Sequence, residues 1–109
     1  MNWIPLNDPT QLEEIKTRSA GRPQVIFKHS TSCSISKMVL NRLERNEAPA
    51  SLDFYFLDLL KYRPVSNQVA ETFRITHQSP QVLLIRDGKC VYDESHTGIS
   101  MDEILEVAS

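Results

Sequence analysis

Apolar residues in this chain come in short runs separated by stretches of helical spacing. Gln24 to Lys28, Leu52 to Leu57 and Val82 to Ile85 read as strands. The first is apolar on both faces, which predicts a central position in a sheet. Asp87-Gly88 followed by Cys90-Val91-Tyr92 predicts a hairpin into a further strand. Between the runs, Leu12 and Ile15 lie three apart, with Asp8 expected as N-cap and Pro9 at the first helical position. Gly21 and Pro23 end that helix near Ala20. Ile35, Met38, Val39 and Leu43 fall at i, i+3, i+4 and i+8, predicting a buried helical stripe, with Asn41, Arg42, Glu44 and Arg45 on the wet side. Pro64 opens a helix carrying Val65, Val69 and Phe73. Ser100 with Glu103 forms a capping box for a last helix carrying Ile104, Leu105 and Val107. Trp3-Ile4-Pro5-Leu6 is a short apolar lead, a candidate edge strand at most.

A strand, a helix and a second strand at the front require a right-handed parallel crossover, and the Asp-Gly hairpin makes the last two strands antiparallel. The expected fold is α/β: a four-stranded mixed sheet with helices on both faces, in a thioredoxin-like arrangement. Composition supports a single domain over all 109 residues. A hydrophobic fraction of 40% and a charged fraction of 24% are ordinary for a globular chain that buries a core. A net charge of −2 gives no basic surface for nucleic acid, and no apolar stretch reaches membrane-spanning length. The first residues carry no signal-peptide pattern, and two cysteines 57 positions apart are not a secreted disulfide framework. The expected compartment is the cytoplasm, where thiols stay reduced.

The candidate chemistry sits in Phe27-Lys28-His29-Ser30-Thr31-Ser32-Cys33-Ser34-Ile35-Ser36, where a strand stops at small polar residues and a helix begins. Backbone N–H groups in a first helical turn have no intrahelical partner and carry partial positive charge. They favour a thiolate, the reactive form of cysteine. Cys33 is therefore the candidate nucleophile, and Ser36, Ser34, His29 and Lys28 are candidates to support its thiolate. The competing reading of Cys33 is a packed structural thiol; a polar loop before a helix favours reactivity. Ser36 has two readings of equal weight, a donor to the thiolate or a helix-entry residue bonding the backbone. A monothiol must attack and later leave, and acidity that costs nucleophilicity on attack helps departure.

The order of elements, a cysteine at the first strand–helix junction and a proline starting the third strand resemble the thioredoxin superfamily over nearly the whole chain. More closely, Phe27 to Thr31, Cys33-Ser34-Ile35-Ser36, His77-Gln78-Ser79-Pro80-Gln81-Val82-Leu83 and Ser95-His96 resemble the YtxJ family of the bacillithiol system, the monothiol bacilliredoxins. The family usually has proline just after its cysteine; here that residue is Ser34. The position six before Cys33, where thioredoxins place a buried acid, is Phe27, and the resolving-cysteine position is Ser36, which excludes a dithiol cycle within this loop. The resemblance implies a cis Ser79–Pro80 bond beside Cys33, with Ser79, Pro80 and His77 as substrate-binding residues. It implies a thiol-disulfide oxidoreductase that removes bacillithiol from S-bacillithiolated proteins. Bacillithiol would be the co-substrate, with no bound cofactor.

Two other functions compete. One is a monothiol glutaredoxin-like module binding an iron–sulfur cluster or a thiol. Against it, Cys-Ser-Ile-Ser lacks the glycine such proteins carry after the cysteine, and Gly88 and Gly98 stand alone. The other is a thioredoxin-fold adaptor without catalysis. His29, His77 and His96 show no zinc-type spacing, so no metal site is expected. Cys90 reads as a structural residue; it would resolve Cys33 only if their Cα atoms came within about 7 Å.

Overall fold

The computed structural model describes residues 1–109. Its elements run β1 (Trp3–Pro5), α1 (Gln11–Arg18), β2 (Gln24–His29), α2 (Ser34–Glu44), β3 (Asp53–Asp58), α3 (Arg63–Phe73), β4 (Gln81–Arg86), β5 (Lys89–Ser95), a 3-10 turn (His96–Gly98) and α4 (Met101–Ala108). The sheet order is β1-β3-β2-β4-β5, with β2 parallel to β3 and antiparallel to β4. β2 is central and buried along its whole length, as its two-faced apolar pattern requires.

The sheet therefore has five strands and not four. The Trp3-Ile4-Pro5 lead pairs in parallel with Phe54-Tyr55-Phe56, and the Leu6 N–H continues the ladder to the Phe56 carbonyl at 2.9 Å. Three residues are too few to show a period of two, and proline weakens a strand reading; an edge position tolerates it. What holds β1 down is Trp3, whose ring packs on Phe27, Phe54 and Phe56 at centroid distances of 5.7, 6.1 and 5.6 Å.

The two faces of the sheet carry separate cores. Ile26, Tyr55, Leu57, Leu83 and Ile85 meet Leu12 and Ile15 of α1 and Val65, Val69 and Phe73 of α3. Val25, Phe27, Phe54, Val82 and Leu84 meet Val39 and Leu43 of α2 and Met101 and Ile104 of α4. Alternate residues of a strand face opposite ways. Lys28 thus shares the α1/α3 face with Ile26, and His29 shares the α2/α4 face with Phe27.

Local details depart from the sequence pattern in two places. Asp8 does not cap α1: its carboxylate accepts from the N–H and hydroxyl of Thr10, both at 2.9 Å. The chain enters the helix through a tighter turn, with Gln11 N–H to Asp8 O at 3.0 Å and Leu12 N–H to Pro9 O at 3.1 Å. In α2 the buried stripe is Ser36, Val39 and Leu43, while Ile35 and Met38 are 40% and 45% exposed. Ile35 and Met38 each lie one residue before a stripe position, a rotation of about 100° on a helix.

The remaining turns follow their residues. Asp87 and Gly88 both have positive φ (53° and 76°), the backbone of the Asp-Gly hairpin. A register shift between Leu84 and Ile85 leaves Val91 unpaired on β5, which accounts for its exposure. Arg74 takes the left-handed conformation that stops α3 (φ 56°). The Ser100 hydroxyl caps α4 by accepting from the Glu103 N–H at 3.2 Å. No helix is long and apolar enough to cross a membrane.

Candidate active site

β2 ends at His29, and four residues later Cys33 is the N-cap of α2, with extended backbone angles (φ −103°, ψ 122°). A tight turn makes this reversal: the Cys33 N–H donates to the Ser30 carbonyl at 3.2 Å, and the Cys33 carbonyl accepts the first helical bond from the Lys37 N–H at 3.1 Å. The thiol caps no backbone N–H itself. The N–H groups of Ser34, Ile35 and Ser36 open the helix and have no acceptor within it. Cys33 is half-buried, with Thr31, Ser32, Ser34 and Ile35 exposed around it. Ser34 stands at the first helical position, where its side chain forms no hydrogen bond within the chain.

Ser36 is fully buried three residues beyond the cysteine. Its Oγ accepts from the Ser30 N–H at 3.0 Å and lies 2.7 Å from Nδ1 of His29. A hydroxyl has one proton to give. With His29 neutral and Nδ1 unprotonated, that proton goes to the imidazole. Ser36 then acts as the clamp between strand end, loop and helix, the second of its two sequence readings. Burial holds the His29 pKa below the usual histidine value, with Lys37 adding to the effect and Asp58 and Glu44 opposing it. His29 itself packs against Phe27 and Phe56 at 5.9 and 5.4 Å. No acid lies beneath the cysteine helix at Phe27, because that position belongs to the aromatic cluster.

Lys28 sits on the other face of the sheet and makes its hydrogen bonds there. Its Nζ donates to the Ser66 carbonyl at 3.1 Å and lies 3.1 Å from Nδ1 of His77. The side chain has no exposed surface, and burial, aided by Arg63, brings its pKa down to about 8. Lys28, expected as a candidate to support the thiolate, thus has its hydrogen-bonding partners on α3 and at His77 and none in the cysteine loop.

The peptide between Ser79 and Pro80 is cis. Lys28 pairs with Gln81 across β2 and β4. Gln81 is the first residue of β4 and Lys28 the last residue of β2 but one, so Ser79 and Pro80 precede β4 at the end of the sheet where β2 runs into the cysteine loop. The proline loop therefore lies beside the cysteine loop, at the C-terminal end of β2. Pro80 is buried and its carbonyl accepts the His96 N–H at 3.0 Å, while the Ser79 hydroxyl is buried with no partner in the protein. Exposed Leu60 follows Leu59, whose N–H donates to the His29 carbonyl at 3.0 Å, so a further apolar side chain flanks this end of β2. Leu60 carries no sequence signal for exposure, and the spacing of Ile35 and Met38 points to core instead.

Cys90 lies at the far end of the sheet. It pairs with Ile85, which pairs with Gln24, the first residue of β2. Five strand steps from Gln24 to His29 span roughly 16 Å, well beyond disulfide reach. Burial pushes the Cys90 thiol up to about 11, and its Sγ donates to the Tyr92 carbonyl at 3.3 Å. Nowhere do three or more His, Cys, Asp or Glu side chains gather as a metal-binding group. The largest cavity, about 430 Å³, is lined by residues including Arg74, Lys89 and Cys90 and lies away from Cys33. Cys33 is thus presented on an open surface rather than in a cleft.

A thioredoxin-like sheet with one cysteine at its first long strand–helix junction, a cis proline beside it and no second thiol in reach defines a monothiol redox protein of that fold. The chain belongs to the monothiol bacilliredoxin BrxC family, whose model matches residues 4–104. Among solved structures it is similar to a protein with a thioredoxin fold at 23% identity, with 97% of this chain and 93% of that one covered and a TM-score of 0.84. It is similar too to the thioredoxin of Fasciola hepatica (19% identity, 95% and 94% covered, TM-score 0.72) and to that of Malassezia sympodialis (14%, 98% and 88%, TM-score 0.75).

Proposed function

We propose that this chain removes bacillithiol from S-bacillithiolated proteins by thiol–disulfide exchange at Cys33. The Cys33 thiolate attacks the bacillithiol sulfur of the mixed disulfide. The protein–bacillithiol S–S bond breaks, and the target leaves as a thiolate that takes a proton from water. Cys33 is left in a disulfide with bacillithiol. The thiolate of a second bacillithiol then attacks the bacillithiol sulfur of that adduct. Bacillithiol disulfide departs and Cys33 is free again, so each turnover consumes one free bacillithiol thiol and passes the disulfide from the target protein to bacillithiol.

The observation that carries this reading is the isolation of a half-buried Cys33 at a helix start, with Cys90, half-buried too, at the far end of the sheet. A lone thiol has to be resolved by a thiol from solution, and family membership points to bacillithiol as that thiol. The cis Ser79–Pro80 bond, at the same end of the sheet as Cys33, supports substrate binding by Ser79, Pro80 and His77. No bound cofactor is needed, and the proposal places the protein in the cytoplasm, where a reduced thiol pool regenerates it.

The test is a bacillithiolated protein incubated with this chain and free bacillithiol. Release of the target thiol should be catalytic with the wild-type chain and absent with Cys33→Ser. Anaerobic reconstitution with iron and sulfide offers the contrast: a brown dimer that fails to release bacillithiol would replace this reading with the cluster-binding one.

A further inference from the structure

Lys28 is a buried ammonium with no acidic partner. It is completely enclosed, and its only hydrogen-bonding neighbours are neutral: the Ser66 carbonyl at 3.1 Å and Nδ1 of His77 at 3.1 Å. No Asp or Glu forms an ion pair with it. A buried charge without a counter-ion is costly, and methionine would fill a similar volume without that cost. Its presence between a sheet strand and the loop carrying Ser79–Pro80 calls for a role.

An ammonium group can only donate. Nδ1 of His77 must then accept, which places the ring proton on Nε2. Nε2 has no hydrogen-bond partner within the protein, and the ring is half-buried two residues before Ser79. We propose that Lys28 is a positioning residue of the exchange site: it holds His77 in the Nε2–H tautomer, so that the histidine offers one fixed N–H donor to the disulfide substrate. Burial, Lys28 and Arg63 all depress the His77 pKa, so the ring stays neutral and remains a single donor rather than a second cation. A fixed donor of this kind suits the sulfur on which negative charge develops as the S–S bond breaks, because hydrogen bonds to charged acceptors are the stronger ones. Lys28 thereby acts on chemistry across the sheet without touching the cysteine loop.

This inference rests on the exchange reading above, and its primary test does not. Long-range ¹H–¹⁵N correlation of the histidine rings in the resting wild-type protein at pH 7 should show His77 with Nε2 protonated and Nδ1 bare. In Lys28→Met the same ring should relax to a mixture of tautomers. In exchange assays, Lys28→Met and His77→Ala should each lower kcat/KM about tenfold, the scale of one hydrogen bond to a charged acceptor. The double variant should be no worse than either single one, because Lys28 works only through His77. An Nδ1–H ring in the wild type would overturn the proposal, and that spectrum needs no variant to fold. So would an unchanged His77 ring in Lys28→Met, or losses that multiply in the double variant.

Discussion

The Ser36 hydroxyl and Nδ1 of His29 lie 2.7 Å apart, seven residues distant in sequence, and the same hydroxyl accepts the Ser30 N–H. One buried oxygen thus joins the end of the central strand, the loop and the first turn of the cysteine helix. Removing it leaves an N–H and an imidazole nitrogen unpartnered in the interior, at roughly 1–3 kcal/mol for each buried unsatisfied group. Ser36→Ala should lower stability by about 2 kcal/mol in urea unfolding and slow exchange at Cys33. A variant as stable as wild type would remove Ser36 from the scaffold of the site.

Cys90 should be chemically silent. A shift of the thiol from 9.0 to about 11 leaves about a hundredfold less thiolate at neutral pH. Alkylation of the native protein at pH 7.5 should therefore add one label, on Cys33, with Cys90 labelled only after unfolding. Cys90→Ser should exchange at the wild-type rate. Rapid double labelling of the folded chain would show that the far end of the sheet opens.

Stability should carry the signature of Lys28. In the folded chain this lysine loses its proton near pH 8, and unfolded near 10.5. Between those values the unfolded state binds more protons, so this group's contribution to stability rises with pH; below pH 8 its unfavourable effect is present in full. The melting-temperature difference between wild type and Lys28→Met should move in the wild type's favour from pH 7.5 to 9.5. Cys90 titrates alike in both proteins and cancels. Parallel pH curves would contradict a charged, buried Lys28.

The cap on α4 gives a smaller effect. Ser100→Ala removes the one side-chain oxygen that satisfies the Glu103 N–H, at about 1 kcal/mol. Because α4 packs through Met101 and Ile104 on the α2 side of the sheet, the loss should appear in thermal melting without changing alkylation at Cys33.

The features legible in the sequence were those set by neighbours in the chain. The Val25-Ile26-Phe27 run stopping at small polar residues marked the cysteine junction, and Asp87-Gly88 marked the hairpin, because each turn demands particular residues locally. Contacts set at long range were not legible. β1 forms because Trp3 finds three phenylalanines, two of them about fifty residues away. Ile35 and Met38 looked like core by spacing, yet the buried stripe of α2 runs through the polar Ser36, whose burial is justified by His29 and Ser30. The opposed directions of Lys28 and His29 follow from strand alternation. Their partners, His77 and Ser36, depend on which helix covers which face.

The most direct test of the central claim is intact-protein and peptide mass spectrometry of the chain after brief exposure to a bacillithiolated protein with no free bacillithiol. A single bacillithiol adduct on the Cys33 peptide, lost on adding bacillithiol and never formed in Cys33→Ser, is the predicted result. An unmodified Cys33, or an adduct carried on Cys90, would contradict the account.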